Sequence, residues 1–362
     1  MEGLVNSKGK VNPIFWNKKR VFITGHTGFK GSWLSLWLQD MGAVVKGYSL
    51  NPNTSPNLFN EAKIFSDMES EIGDIRDFDK LNSSIKSFNP EILIHMAAQP
   101  LVRLSYSEPI DTYSTNVMGT LNVLESCRSC DNLKAIIAIT TDKCYENKEQ
   151  DIAYKESDPM GGHDPYSSSK GCCELLISSY RRSFFNNSDT PFLASARSGN
   201  VIGGGDWSSD RLIPDILKAF ENNDILKVRN PSSTRPWQHV LDPLSGYLVL
   251  AENLYLKGEE YAEAWNFGPE GEGCKPVDWI LDKMCNYWGQ GVKWELDKNN
   301  HPHEAGLLKL DCNKAFTRLN WSPNWSLDYT LKLIIKWHKN WLSGCNIKDE
   351  CLNEIKNFIN NN

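Results

Sequence analysis

Tyr166 and Lys170 stand four residues apart at the head of the stretch PYSSSKGCCELL, so a helix there puts both on one face. An ammonium near a phenol favours the phenolate and lowers its pKa from about 10. A phenolate can take the proton of a hydroxyl while a hydride leaves the same carbon. Upstream, Thr141-Asp142-Lys143 closes the apolar run KAIIAITT. Thr141 can orient a hydroxyl, and Asp142 can protonate a departing hydroxide. Lys143, if neutral, can take a carbon-bound proton; if charged, it can stabilise an enolate. A redox pair flanked by an acid–base pair has the parts for oxidation followed by elimination. A third cluster, VFITGHTGFKG, sets Gly25, Gly28 and Gly31 at GxxGxxG spacing behind Val21, Phe22 and Ile23. Glycines there let a backbone approach a pyrophosphate, and a helix N-terminus behind them offers free N–H groups.

These residues need a scaffold that gathers them. Strands are expected at 20–24, 44–49, 71–75, 91–96, 134–141, 192–197 and 264–267, with helices at 32–41, 117–130, 165–185, 211–219 and 238–254. The alternation predicts an α/β fold with a Rossmann-like, doubly wound parallel sheet and a smaller C-terminal substrate-binding lobe. Right-handed crossovers put the ends of all parallel strands on one edge. The Gly loop, Ala97-Ala98-Gln99 and Thr141–Tyr145 then share that edge. The division expected is an arm at 1–19, a nucleotide-binding unit at 20–200 plus 238–268, a substrate lobe at 201–237 and 269–345, and a tail at 346–362. Phe15 and Trp16 are expected to tuck against the first lobe. The Asn-rich end at 357–362 is expected to fray.

The 362 residues suffice for two lobes, and a net charge of −6 speaks against a nucleic-acid surface. No run of 18 apolar residues occurs, and the first residues lack the apolar core of a signal peptide, so a cytoplasmic, membrane-free protein is expected. The ten cysteines lack framework spacing. Cys127 and Cys130 form a lone CxxC on a predicted helix, and no metal is expected. His301-Pro302-His303-Glu304 reads as a loop rather than a ligand set, His95 as a packed core histidine, and Trp321, Trp325, Trp337 and Trp341 as core.

The GxxGxxG loop and the Tyr166–Lys170 pair resemble the extended short-chain dehydrogenase/reductase superfamily. GHTGFKGSWLSLWL, GYSLNPNTSPNLF, TTDKCYEN, NVIGGGDW, DRLIPD, RPWQHVLDPLSGYL and AWNFGP together resemble the CDP-glucose 4,6-dehydratases, from about residue 16 to 341. Dehydratases of this kind most often carry Asp-Glu where this chain has Asp142-Lys143; Asp-Lys is a known variant. The resemblance implies NAD as cofactor and a CDP-hexose as substrate, in deoxysugar and surface-polysaccharide (O-antigen) biosynthesis. It assigns catalysis to Thr141, Asp142, Lys143, Tyr166 and Lys170. The cofactor would be held by Gly25, Thr27, Gly28, Phe29, Gly31, Asp74, Ile75, Ala97, Ala98, Gln99 and Asn116, with Tyr166 and Lys170. Asn200, Arg211 and Arg235 would hold the substrate, an arginine gripping phosphate by a forked hydrogen bond. Asp74 also makes sense as a turn residue, and the two arginines as solvated surface. The second strand ends in Leu50-Asn51-Pro52-Asn53, with neither an acid for a ribose 2′-hydroxyl nor an Arg for a 2′-phosphate. NAD against NADP stays partly open on that ground. A homodimer or homotetramer through helices at 116–130 and 166–185 is expected. The competing readings are another nucleotide-sugar 4,6-dehydratase, a nucleotide-sugar 4-epimerase, and a non-catalytic sugar-nucleotide-binding scaffold.

Overall fold

A computed structural model describes residues 9–360 except 270, 290–292, 298 and 300–305. The His301–Glu304 motif therefore lies outside the described residues. In chain order the strands are β1 (Arg20–Thr24), β2 (Val44–Ser49), β3 (Glu69–Ile72), β4 (Ile92–His95), β5 (Ala135–Ile139), β6 (Ala153–Tyr154) and β7 (Phe192–Ser198). There follow β8 (Asn200–Ile202), β9 (Leu226–Val228), β10 (Thr234–His239), β11 (Ala264–Phe267), β12 (Cys274–Pro276), β13 (Trp294–Leu296) and β14 (Lys309–Leu310). Seven of them make one sheet in the order β11-β7-β5-β4-β1-β2-β3, every neighbouring pair parallel.

The apolar runs explain this sheet. Side chains alternate across a strand, so a sheet covered on both faces needs apolar residues at every position. Val21 and Ile23 join one core, together with the helices Phe29–Asp40 and Leu241–Lys257; Phe22 joins the other, with Leu81, Ile85, Val123 and Ile177. Ile92 and Ile94 divide from Leu93 in the same way, and Ala135, Ile137 and Ile139 from Ile136 and Ala138. A third core, including Ile213, Leu217, Val228, Ile280 and Leu331, sits beneath the small sheet β12-β10-β8.

Three segments differ from the sequence expectation. As far as residue 360 the expected tail is a helix, Ile347–Asn360, and Ile347, Cys351, Ile355 and Phe358 recur at helical spacing on one buried face. Phe358 meets Trp37 and Trp325 edge-on, with centroids 5.7 and 5.0 Å apart, so residues 357–360 of the Asn-rich end are held by an apolar stripe; 361 and 362 lie outside the described residues. Residues 234–239 are a strand pairing with β8 and β12, and the next helix starts at Leu241 rather than at 238. The helix expected at 117–130 opens as a wider turn over Ser114–Met118 and closes at Cys127. The arm ends as expected: Phe15 and Trp16 are buried, and Trp16 Nε1 donates to Glu252 Oε1 at 2.6 Å.

Candidate active site

The sheet order reverses between β1 and β4, and the crevice at such a point takes ligands. β1 runs into Gly25, whose φ of +81° suits glycine. A Cβ on Gly25 would stand 2.7 Å from Ala97 N, and one on Gly31 would stand 2.0 Å from Gly25 O. Those two glycines fold the turn onto itself and onto the residues after β4. Gly28 differs: a Cβ there would meet only Gly25 O, at 3.5 Å, so its outer side is open at the N-terminus of the helix Phe29–Asp40. That cradle fits a pyrophosphate. Thr27 faces inward, its Oγ1 donating to Leu50 O at 2.8 Å and lying 2.9 Å from Ser49 Oγ.

Tyr166 and Lys170 lie on the helix Pro165–Ser183, which Asp164 caps by accepting from Ser167 N at 2.9 Å. Tyr166, Thr141, Asp142 and Lys143 line one cavity with Lys30, Asn200, Arg211 and Arg235. Thr141 Oγ1 donates to Asp142 Oδ1 at 3.0 Å and hydrogen-bonds the Tyr166 phenol. Lys143 Nζ stands 3.9 Å from Asp142 Oδ1. Asp142 Oδ2 is buried with no hydrogen-bond partner among the described residues, and a Cβ on Gly199 would come within 3.2 Å of it. Asn200 Oδ1, in the same cavity, is likewise unpartnered.

Electrostatics correct one expectation. Burial pushes the Tyr166 phenol above its ordinary range, with the Thr141 hydrogen bond pulling the other way, and the Asp142 charge adds to the rise. Lys170 is itself shifted down by burial. Sharing a helix face is thus not enough to make the phenol acidic, because both groups have lost water.

The residues expected to hold a cofactor fall into two sets. Ala97 and Ala98 are half-buried small residues beyond β4, and Ile75 is buried against Gly119. Gln99 and Asn116 are spent on each other: Gln99 N donates to Asn116 Oδ1 at 2.8 Å, and Asn116 Nδ2 donates to Gln99 O at 3.1 Å and to Ser169 Oγ at 2.9 Å. Gln99 Nε2 also donates to Thr112 Oγ1 at 2.8 Å. They brace the loop beyond β4 to the Tyr166 helix. Asp74 is gripped by Arg76, whose NH2 lies 2.6 Å from Oδ2 and which also pairs with Asp111; the hydrogen bonds to Arg76 hold the Asp74 carboxyl below the usual range. His95 is a core residue, its nitrogens 2.7 Å from Thr24 Oγ1 and 3.0 Å from Thr120 Oγ1.

Arg235 is buried on β10 and donates to Thr234 O at 3.2 Å, and Arg211 donates to Asp206 Oδ2 at 3.0 Å. Arg235 is thus not a solvated surface arginine, whereas the Arg211 side chain is 32% exposed.

Sequence reasoning missed Lys30. It sits between the second and third glycines and lines the cavity; burial, together with the charges of Arg211 and Lys170, lowers its pKa to about 7 against the pull of Asp142. A cation inside an otherwise small-residue loop was the available signal. Also missed was a polar cluster beneath the site. Glu174 Oε2 pairs with Arg197 NH2 at 2.7 Å, Thr140 Oγ1 and Ser195 Oγ donate to the Glu174 carboxylate at 2.5 and 2.9 Å, and Arg197 NH1 donates to Tyr145 OH at 2.7 Å. Among the described residues no group of three or more His, Cys, Asp or Glu could hold a metal ion.

The family model described as GDP-mannose 4,6 dehydratase matches residues 22–334. The chain is 59% identical over 338 residues to CDP-glucose 4,6-dehydratase of Salmonella typhimurium, covering 92% of this chain and 94% of that one. It is 26% identical to UDP-glucose 4-epimerase of Halalkalibacterium halodurans, over 88% of this chain and 95% of that one. Its fold matches DesIV, a dTDP-glucose 4,6-dehydratase from Streptomyces venezuelae solved with NAD and TYD bound, at a TM-score of 0.77 and 20% identity over 91% and 99% of the two chains. With a family model spanning residues 22–334 and a relative of this identity along nearly its whole length, the chain belongs to the GDP-mannose 4,6 dehydratase family.

Proposed function

We propose that this enzyme dehydrates CDP-glucose to CDP-4-dehydro-6-deoxyglucose, a step of deoxysugar biosynthesis. The carrying observation is the pair Asp142–Lys143 beside Thr141 and Tyr166 in one cavity, and the relative at 59% identity supports the substrate. NAD is the cofactor; when bound, it accepts a hydride and later returns it, so none is consumed. The open side of Gly28 supports its pyrophosphate, and Ala97 and Ala98 leave room beside it. Residues 20–200 with 238–268 make the cofactor unit, and 201–237 with 269–345 the substrate lobe.

The chain's own groups divide the proton work. Thr141 holds the sugar 4-hydroxyl, and Tyr166 takes its proton. Arg211 works against burial to ease loss of the phenolic proton. The resulting 4-ketone acidifies the C5 hydrogen, which Lys143 in its neutral form removes and returns to C5 once water has left and C6 has been reduced. Asp142 must take up a proton for the elimination step and gives it to the departing 6-hydroxyl; Oδ2 is the oxygen for this, since Oδ1 accepts from Thr141. Asn200 Oδ1 and Arg235 face the sugar nucleotide.

A panel of nucleotide hexoses tests the reading: mass spectrometry should find loss of water from CDP-glucose with no net change in NAD. A product isobaric with its substrate would mean epimerisation instead. A homodimer or homotetramer forms through the Tyr166 helix and its neighbours, where Leu175, Met118 and Ile110 are 63%, 50% and 86% exposed. A monomer mass by light scattering at micromolar protein would refute that. The site of action is the cytoplasm. NAD is preferred to NADP only loosely, because no charged group at the end of β2 holds the ribose; a titration with tighter NADP binding would reverse this.

A further inference from the structure

Asp215 is a carboxylate that the chemistry above leaves unused. It lies on the first turn of the helix Leu212–Asn222, half-buried, and lines the same cavity as the catalytic cluster. Among the described residues its carboxylate makes no hydrogen bond, and the side chains that act on it do so through charge alone: Asp210, Arg229, Lys218 and Arg103. None of these is a catalytic group. Arg211, by contrast, acts on both Tyr166 and Lys30. Asp215 lines the cavity from the helix Leu212–Asn222, and Ile213, Pro214 and Val228 line it with apolar groups. Burial and the Asp210 charge raise the Asp215 carboxyl to about 6, so it is ionised at neutral pH but holds its charge in a partly dry place.

An apolar slot with one unspent carboxylate suits a flat heteroaromatic ring that carries an amino group. A carboxylate oxygen accepts from the exocyclic amine of a 4-aminopyrimidine. A 4-oxo ring sets its carbonyl against that carboxylate, and an unmet buried charge discriminates more strongly than a missing contact.

We propose that Asp215 reads the base: its carboxylate accepts a hydrogen from the 4-amino group of the cytosine and turns away the 4-oxo group of uracil and thymine. This rests on the nucleotide-sugar dehydratase reading and adds to it the residue that selects the nucleotide.

The test compares wild type, Asp215→Asn and Asp215→Ala with CDP-glucose, UDP-glucose and dTDP-glucose, by kcat/KM and by calorimetry with free CDP and UDP. The preference for CDP-glucose over UDP-glucose should fall about 10- to 100-fold in both variants, as expected for one charge-assisted hydrogen bond. The kcat for CDP-glucose should stay within about threefold, since the base lies far from the reacting carbons. Asn should retain part of the preference, its amide oxygen still accepting. A scaffold role would lower all three substrates together and leave the ratio unchanged; that result in both variants overturns the proposal. Should wild type dehydrate none of the three, the functional reading fails, and the CDP-to-UDP binding ratio still decides Asp215.

Discussion

Two polar clusters lie buried within a few residues of one another, and they are built on opposite terms. Beneath the sheet edge, Glu174, Arg197, Thr140, Ser195 and Tyr145 spend most of their groups on each other, Arg197 Nε excepted, and Glu174 alone takes three donors. In the cavity above, Asp142 Oδ2 and Asn200 Oδ1 have no partner, and Lys30 is pushed down to about 7 by burial and by its cationic neighbours. Burying polar groups unpaired disfavours the fold, and burying them paired fixes one geometry. The lower cluster therefore reads as a clamp between the Tyr166 helix, β5 and β7. The upper one keeps its hydrogen-bonding capacity for a ligand. Stability and activity should accordingly separate under mutation.

Tyr166→Phe should show the largest effect on the upper side. It removes the base, so dehydration should drop at least about 10³-fold, and the near-ultraviolet absorbance of reduced nicotinamide should not rise when CDP-glucose is added. Its melting temperature should stay close to wild type. On the lower side, Glu174→Gln leaves Arg197 buried without its charge partner and should destabilise by about 3–5 kcal/mol. Burial raises the Glu174 carboxyl, but Arg197 outweighs it and the net shift is downward. The ion pair's stability is thus present above the unfolded pKa near 4.5 and is lost as pH falls through the lower folded value. Denaturant melts from pH 7 to 3 should be flatter in Glu174→Gln. A melting temperature unchanged at pH 7 would sink the clamp.

Lys143→Met and Asp142→Asn sharpen the same division within the cavity. Oxidation at C4 uses Tyr166 and Thr141, whereas loss of water across C5 and C6 uses the pair. Both variants should still give the near-ultraviolet rise, then stall, with turnover down about 10²- to 10³-fold. Asp142→Asn should be no less stable than wild type, because it discharges a buried oxygen that lacks a partner. Full-speed turnover by Lys143→Met would reduce that lysine to a strand-end residue.

How far the sequence could be read follows the same line. Local rules carried the sheet, because β1, β4 and β5 are apolar runs between polar flanks, and they carried the Gly loop and the Tyr166–Lys170 spacing because those are short-range patterns. β10 escaped: Arg235, Pro236 and Gln238 break any alternation, and the strand exists because β8 and β12 flank it. The C-terminal helix escaped because its Asn-rich composition hid the stripe Ile347, Cys351, Ile355 and Phe358. Gln99 and Asn116 have the types of cofactor ligands, but only their distances show that they serve each other. Arg197 and Glu174 are 23 residues apart, and no periodicity links them. Motifs name groups, and only packing decides which of those groups remain unspent.

Glu252 lies between the two kinds of cluster and sets their smallest test. Its Oε1 accepts from Trp16 Nε1 and from Asn12 N, so it is paired by hydrogen bonds as the clamp is. Burial outweighs those two hydrogen bonds and raises its carboxyl to about 8. In the unfolded chain it ionises near 4.5, whereas in the folded chain it keeps its proton until about pH 8. The folded state therefore binds the extra proton across that window. The stability this gives is complete below pH 4.5, declines as pH rises, and is gone above pH 8. A glutamine there accepts the same two N–H donors and never ionises. Glu252→Gln should match wild type near pH 5 and exceed it by about 1–2 kcal/mol near pH 9, raising the melting temperature only on the alkaline side. The docked segment Pro13–Trp16 should stay in place at that pH, which protection of the Trp16 indole from hydrogen exchange would report. An equal alkaline loss in both proteins would mean that Glu252 is already charged in the folded state, which would place it with Glu174, whose charge Arg197 matches.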